Sequence, residues 1–308
     1  MKLRTYALVA ASLLAACDSS TNPPGPPAAL LAVGNTAVAL TVGTTAADSL
    51  GVKVVDEDGR AVPNAQVSWT VDAPGGVIVS PVTATTNAQG VARVAVQGGT
   101  AAGTRTVRAA VAGSAAAVSL PFAITQNPGP VATLQLPPLA TLTPGGATTL
   151  AVTAADQYGN ATATTGATWT SSLPAVAGVS TTGGVSAAGV GTSVVTVRIG
   201  QATAVTQVRV VPATLNACET NTRTLCSAWT FSNGKYDAQW DQGSRAVIQV
   251  ERFDADSVRF TRQDPSGSSA GLTAVYRAAR GTAGVQNGVV TWTQPGGSPF
   301  SGTWYGSW

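Results

Sequence analysis

The chain has no histidine, three cysteines (Cys17, Cys218 and Cys226) and 14 carboxylate side chains. Without histidine, the Ser-His-Asp and Cys-His arrangements that activate a nucleophile are absent. Acid/base chemistry would fall to paired carboxylates alone, as in glycoside hydrolysis. The spacing of Asp and Glu forms no recognisable pair. A zinc site wants four ligands from Cys, His or carboxylate, and two thiols without a histidine make a poor set. The triplet Asp56-Glu57-Asp58 offers three adjacent carboxylates to a hard cation such as calcium. Its counterpart at Asp156-Gln157-Tyr158 keeps a single acid, so a solvated hairpin turn is expected instead. No catalytic residue, cofactor or metal ligand is assigned.

Aromatic side chains are the other chemically useful group. Five of the seven Trp (Trp229, Trp240, Trp292, Trp304 and Trp308) lie in the last third of the chain. They could line a pocket for a sugar or an apolar ligand. A small domain also needs bulky side chains merely to be stable. A packed core is therefore expected, with these five kept as candidate ligand-contacting aromatics. Arg245, Arg252, Arg259, Arg262, Arg277 and Arg280, with Asp254, Asp256 and Asp264, read as an exposed sheet face. Cross-strand ion pairs of that kind contribute under about 1 kcal/mol each.

At the start of the chain, Lys2 and Arg4 precede an apolar run from Tyr6 to Leu14, and Leu14-Ala15-Ala16-Cys17 follows. A basic region, a short apolar region and small residues before a cut site make a secretory signal peptide. The run is shorter than the roughly 20 residues that span a bilayer. Leu-Ala-Ala-Cys resembles the lipobox of bacterial lipoproteins. That resemblance implies acylation of the Cys17 thiol, removal of residues 1–16 and a membrane partner through the lipid. The expected location is the cell envelope, exported and lipid-anchored. Asp18 after the cysteine implies inner-membrane retention under the rule of enteric bacteria. The rule varies between lineages, so outer membrane and inner membrane both stay open. Cys218 and Cys226 remain as an even pair in an exported chain, which predicts one disulfide.

Composition bounds the rest. Charged residues are 10% of the chain, and Gly, Ala, Thr, Ser and Val dominate, which suits short strands and tight turns. The formal charge of +3 falls once Lys2 and Arg4 leave, because 17 basic residues become 15 against 14 acidic. That balance gives no electrostatic reason to expect nucleic acid. Residues 17–29 contain Asn22-Pro-Pro-Gly-Pro-Pro27 and are expected to act as a semi-rigid tether of polyproline II type.

An internal repeat follows. Leu50, Asp56, Gly59, Trp69 and Thr70 recur at a single offset of 100 positions as Leu150, Asp156, Gly159, Trp169 and Thr170. Each copy reads as a strand, a glycine turn and a segment ending in Trp-Thr. Each Trp is expected in its own core, where it supplies most of the aromatic area. Val52 to Pro63, Val67-Ser-Trp-Thr70 and Thr86-Asn-Ala-Gln-Gly-Val-Ala92 resemble the bacterial Ig-like domains of the invasin and intimin type. Asn87 stands where that family often has Asp. The second copy matches the same opening with Ala155-Asp-Gln-Tyr-Gly-Asn160 and Thr168-Trp-Thr170. Its shorter later half resembles a second group of bacterial Ig-like domains. The resemblance implies two antiparallel sandwiches, 30–127 and 128–212, with Gln126-Asn-Pro-Gly-Pro130 as the joint.

Residues 213–308 form a different, aromatic-rich domain. Seven strands are expected, at 228–231, 235–240, 245–251, 257–262, 272–280, 289–294 and 303–308. Short turns between them suggest an antiparallel meander, either closed into a small barrel or packed as a curved sheet. The ending Gly302-Thr-Trp-Tyr-Gly-Ser-Trp308 loosely resembles small lipocalin-like or avidin-like barrels. The whole is expected to be all-β. The favoured reading is a lipid-anchored envelope protein whose Ig-like repeats are spacers. They would present the C-terminal domain for adhesion or for recognition of a surface polymer or protein. A small-ligand-binding barrel is the first alternative and a carboxylate-based hydrolase the last. A pocket enclosing several Trp distinguishes the first alternative from a solid core.

Overall fold

The computed structural model describes residues 23–73, 76–112, 118–265 and 269–308, and every regular element in them is a β-strand. Residues 1–16, Cys17 and the first part of the tether lie outside the described residues. The chain divides into two compact units, one ending at Asn127 and one running Pro128–Trp308.

The first unit is a sandwich. One sheet joins β1 (Ala29–Ala32), β3 (Leu50–Val55), β7 (Val91–Gly98) and β5 (Val77–Ser80). The other joins β2 (Ala37–Thr41), β9 (Ser119–Asn127), β8 (Gly103–Val111), β4 (Gln66–Val71) and β6 (Thr83–Thr85). Strand periodicity fixes which side chains meet between the sheets. In β7, Ala92, Val94 and Val96 are buried while Arg93, Ala95 and Gln97 face out. Trp69 is buried against Phe122, with ring centroids 5.7 Å apart. Asn87 does the work expected of an Asp, since its Oδ1 accepts the N–H groups of Gln89 and Val91. β9 runs on through Asn127, so the joint begins at Pro128 and not at Gln126. Gln126 is buried and its side-chain oxygen accepts Gly99 N–H at 2.7 Å.

The second unit begins with β10 (Thr133–Gln135) paired to β13 (Thr153–Ala155). A four-stranded sheet joins β11 (Ala140–Leu142), β18 (Ala202–Val210), β17 (Gly191–Ile199) and β14 (Thr168–Ser171). It faces a three-stranded sheet of β12 (Ala147–Thr149), β16 (Gly184–Ala187) and β15 (Ala177–Val179). The strands are shorter than in the first sandwich and the core is thinner. Trp169 is only half-buried and touches both small clusters of this core. The expected core placement thus holds for both Trp, complete at Trp69 and half-buried at Trp169.

The repeat is preserved down to single hydrogen bonds. The turns themselves are exposed, as expected, at Glu57 to Arg60 and Gln157 to Gly159, but the Asp56 and Asp156 side chains beneath them are buried. Asp56 Oδ1 accepts the N–H groups of Asp58 and Arg60, and its Oδ2 accepts Gly25 N–H at 2.9 Å. Asp156 Oδ1 accepts Tyr158 and Asn160 N–H, and its Oδ2 accepts Gly129 N–H at 2.8 Å. Each carboxylate closes its own turn and pins the segment that enters its sandwich. The end of the Pro-rich tether is therefore fixed to the first sandwich, where Ala28 N–H also meets Val55 carbonyl. Gly59 and Gly159 complete the two turns at φ of 80° and 85°, which glycine adopts without strain.

The C-terminal part is a closed antiparallel barrel in meander order. Its strands are β19 (Thr214–Thr220), β20 (Thr224–Ser232), β21 (Lys235–Trp240), β22 (Arg245–Phe253), β23 (Ser257–Gln263), β24 (Thr273–Ala279), β25 (Gly284–Thr293) and β26 (Phe300–Ser307). Closure depends on β19, a strand absent from the seven expected. It pairs with β20 on one side and β26 on the other. Cys218 and Cys226 stand directly opposite each other in β19 and β20 and are joined by a disulfide, with Cα atoms 4.0 Å apart. The bond is thus a rung inside the barrel wall, where sequence alone suggested a staple ahead of the first strand.

One end of the barrel is seated on the second sandwich. The Arg209 guanidinium donates to the carbonyls of Val250 and Glu251. Arg280 donates to Asp254 carbonyl at 2.7 Å and Val190 carbonyl at 2.8 Å. Thr192 hydroxyl donates to Phe253 carbonyl, and Tyr236 hydroxyl donates to Pro212 carbonyl, both at 2.7 Å. This end is solid. Trp229 stacks on Trp304 at 6.4 Å and meets Phe260 and Tyr276 edge-on. Trp308 is half-buried against Phe253.

These observations generate three expectations. Trp69→Ala should destabilise the first sandwich by about 3–5 kcal/mol, the range for large buried aromatics, and Trp169→Ala should cost clearly less in the second. Denaturant unfolding of each variant checks the order. Burial pushes the Asp156 carboxyl up, but hydrogen bonds from the Asn160 side chain and from Gly129, Asn160 and Tyr158 N–H outweigh it and bring it from 3.8 down to about 2. A depressed carboxylate stabilises above its unfolded pKa and loses that effect as pH falls through the folded one. Asp156→Asn should therefore remove acid sensitivity of the second unit between about pH 4 and pH 2, read by melting temperature against pH. Reduction of Cys218–Cys226 should cost the barrel about 2–3 kcal/mol for so short a loop. Hydrogen exchange should place the loosening at the β19–β20 hairpin and leave the first unit unchanged.

Candidate functional site at the barrel mouth

The meander puts alternate connections at opposite ends of the barrel. Residues 221–223, 241–244, 264–265, 269–272 and 294–299 lie at the end away from the sandwich. There the inward-facing positions change character. Along β19, Leu215 and Ala217 face in, and the next inward residue is Glu219. Along β23, Val258 and Phe260 face in, followed by Arg262 and then Asp264. Glu219, Arg262 and Asp264 are 4%, 7% and 1% exposed. Arg262 and Asp264, expected on an exposed face, are thus inside the barrel. Of the other residues assigned to that face, Arg252 and Asp254 form an exposed pair at 3.3 Å. Arg245, Arg259 and Arg277 are exposed, and Arg280 belongs to the sandwich junction.

The buried charges are closely partnered. Arg262 Nε and Nη2 donate to the two oxygens of Asp264 at 2.5 and 2.7 Å. This is the bidentate fork that guanidinium and carboxylate geometry favours. Arg262 Nη1 reaches Glu219 at 3.3 Å. Glu219 also accepts Tyr276 hydroxyl at 2.7 Å and Trp292 Nε1–H at 3.0 Å. The Arg262 guanidinium lies 3.9 Å from the Trp240 ring centroid, a cation–π contact. Burial alone would push Arg262 down, but the hydrogen-bonded Asp264 carboxylate together with Tyr276 and Glu219 outweighs it and holds Arg262 protonated. Burial pushes the Glu219 carboxyl up, against the opposing pull of Arg262, Tyr276 and Trp292.

Above this floor opens a cavity of about 530 Å³. Glu219, Arg262, Trp240 and Trp292 line its buried part, Leu225, Leu272 and Phe300 its sides, and Asn221, Arg223, Asp241, Gln242 and Gln294 its exposed rim. Its size falls in the range of small-molecule sites, and it combines apolar walls with a few convergent polar groups. Trp292 packs over Gly302, where a side chain would meet its ring at 2.7 Å. Another concavity, of about 590 Å³ on the first sandwich, is lined mainly by small residues such as Gly34, Ala37 and Ala47, with Asp48 and Arg93. It lacks aromatic walls and buried polar groups.

The five candidate aromatics therefore separate. Trp240 and Trp292 line the cavity, and Trp229 and Trp304 fill the solid core. Trp308 sits at the sandwich end. Sequence reasoning missed Glu219, Leu225, Leu272 and Phe300 as site residues. The available signal was parity: Glu219 follows Leu215 and Ala217 at the same two-residue spacing. Among the described residues, no three His, Cys, Asp or Glu side chains converge to hold a metal ion.

Residues 31–123 match the family model for the bacterial Ig-like domain (group 1), which covers the first sandwich. No curated protein sequence matches the chain. Solved structures offer distant likenesses. FdeC, described as a broadly conserved Escherichia coli adhesin, is 16% identical with a TM-score of 0.47, over 91% of this chain and 98% of its own. Domains 4 and 5 of the S-layer protein SbsC are 20% identical with a TM-score of 0.29, over 59% of this chain and 96% of their own. The D0–D1 domain of intimin is 18% identical with a TM-score of 0.27, over 60% of this chain and 99% of its own. At these values the likenesses assign neither ligand nor partner to this chain. What the comparisons show is that residues 31–123 match the group 1 bacterial Ig-like domain model, in keeping with the sandwich found there.

Proposed function

We propose that the protein is a lipid-anchored component of the cell envelope, held at Cys17, whose Ig-like sandwiches are spacers for a C-terminal recognition barrel. The observation that carries this reading is the cavity at the barrel end opposite the sandwich. The seated end is fastened by Arg209 and Arg280 and packed solid, so of the two barrel ends the mouth is the open one. The group 1 Ig-like match supports an adhesion-type role at the cell surface, since such domains serve as extracellular modules. The second reading, a small-ligand-binding barrel, is favoured by Trp240 and Trp292 lining a cavity. Both readings place recognition at the mouth. They differ in whether the mouth takes a free molecule or the exposed end of a polymer or protein. A hydrolase has less support, because both oxygens of Glu219 are already engaged by hydrogen-bond donors and Asp264 is committed to Arg262.

Two experiments test the proposal. Cys17→Ser should abolish acylation and signal cleavage, so that mass spectrometry finds residues 1–16 still attached and no lipid on the chain. A cleaved, unacylated N-terminus in the parent protein contradicts the anchor. For recognition, the full chain is displayed against immobilised glycans, matrix proteins and small molecules. Gln294→Trp, which fills the mouth from its exposed rim, should weaken binding by about ten-fold or more at unchanged melting temperature. Leu225→Trp should do the same from the wall. Binding that persists in both folded variants puts recognition elsewhere on the molecule.

A further inference from the structure

We propose that the barrel mouth selects an organic cation, a substituted ammonium group carried on a small apolar body. This rests on the reading of the mouth as the recognition site and names the chemistry it would take.

The argument begins with charge. The floor holds two carboxylates, Glu219 and Asp264, against one guanidinium, Arg262. Asp264 claims that guanidinium through two short bonds of 2.5 and 2.7 Å. Arg262 stands 3.3 and 3.4 Å from the Glu219 oxygens, longer than the roughly 2.7–2.9 Å of a charge-assisted bond. The close partners of Glu219 are neutral, namely the Tyr276 hydroxyl and the Trp292 indole. Asp264 does not line the cavity, whereas Glu219 does. One negative charge is thus left over at the buried end of the mouth, on the side chain that faces the opening.

The second line is the walls. Trp240, Trp292 and Phe300 surround the same space. Aromatic faces attract cations through the ring quadrupole, and a box of rings with a carboxylate suits a substituted ammonium. Trp240 already holds one cation, the Arg262 guanidinium, over its ring. Trp292 and Phe300 stack at 5.3 Å and 22°, forming one continuous wall. An anionic ligand would meet Glu219 at the buried end and find the only buried cation of the lining already paired. A purely neutral one would leave the excess charge uncompensated.

The test uses three probes of one shape on the full mature chain: choline, its neutral isostere 3,3-dimethylbutan-1-ol, and the anion 3,3-dimethylbutanoate. Calorimetry or ligand-observed NMR should show choline binding, the alcohol weaker by about ten-fold or more, and the anion not detected. Glu219→Gln keeps the shape and one of the two acceptor oxygens while removing the charge, and should reduce choline binding by about ten-fold with the alcohol unaffected. Phe300→Ala, at a part-exposed wall position, should weaken choline as well and serves if Glu219→Gln fails to fold. Equal binding of choline and the alcohol, or preference for the anion, overturns the proposal. So does absence of choline binding while recognition remains sensitive to Gln294→Trp; that outcome leaves the mouth as the site and removes only the cation.

Discussion

A sheet of eight strands loses its exposed edges only when its first strand reaches its last. Here that contact is β19 against β26, from Asn216 opposite Ser307 to Thr220 opposite Thr303. Full closure is the one arrangement that removes edges outright. It also creates an inside, and everything distinctive about the C-terminal domain depends on that inside. β19 brings Glu219 to Arg262 and Trp292, carries Cys218 to Cys226, and lets Trp304 stack on Trp229. Opened at this seam, the mouth has no floor and the aromatic core loses a wall.

The barrel interior divides its length between two kinds of packing. Near the sandwich, aromatic rings interlock and fill the lumen. Near the mouth, a buried ion pair and its carboxylate partner replace hydrocarbon. A buried ion pair is a weak source of stability, because desolvation offsets most of the attraction. Apolar residues would close this end at least as well. Retaining Glu219, Arg262 and Asp264 beneath an open cavity therefore fits a binding site better than a structural plug. The hydrogen bonds to Tyr276 and Trp292 hold Glu219 in one orientation, which is what a recognition group needs.

Much of this was legible in the sequence. Alternation located seven barrel strands, and a 100-residue offset exposed the paired Asp, Gly and Trp positions. The disulfide followed from an even cysteine pair in an exported chain. What failed did so for one recurrent reason: a polar residue in an inward position. Thr214-Leu-Asn-Ala-Cys-Glu-Thr220 alternates correctly, but Glu219 at the inward register makes the strand look like a linker. Arg262 and Asp264 continue the parity of Val258 and Phe260 and still read as surface charges. Asp56 and Asp156 read as parts of solvated turns, and the turns are exposed, but each of these two carboxylates is buried among the backbone N–H groups it accepts. Composition assigns charges to the outside, and only partners supplied by distant strands reverse that. The depth of Trp169 was hidden for a different reason, since strand shortness in the second sandwich sets how much surface is available to cover it.

The central claim is that recognition happens at the far mouth of a closed barrel. The seven indole N–H signals of the full chain report on it directly, because Trp side chains mark the first sandwich, the second, the solid barrel core and the mouth. With a recognised ligand added, the account predicts shifts at Trp240 and Trp292, little change at Trp229 and Trp304, and none at Trp69 and Trp169. Shifts concentrated at Trp69 or Trp169, with Trp240 and Trp292 unmoved, would contradict it.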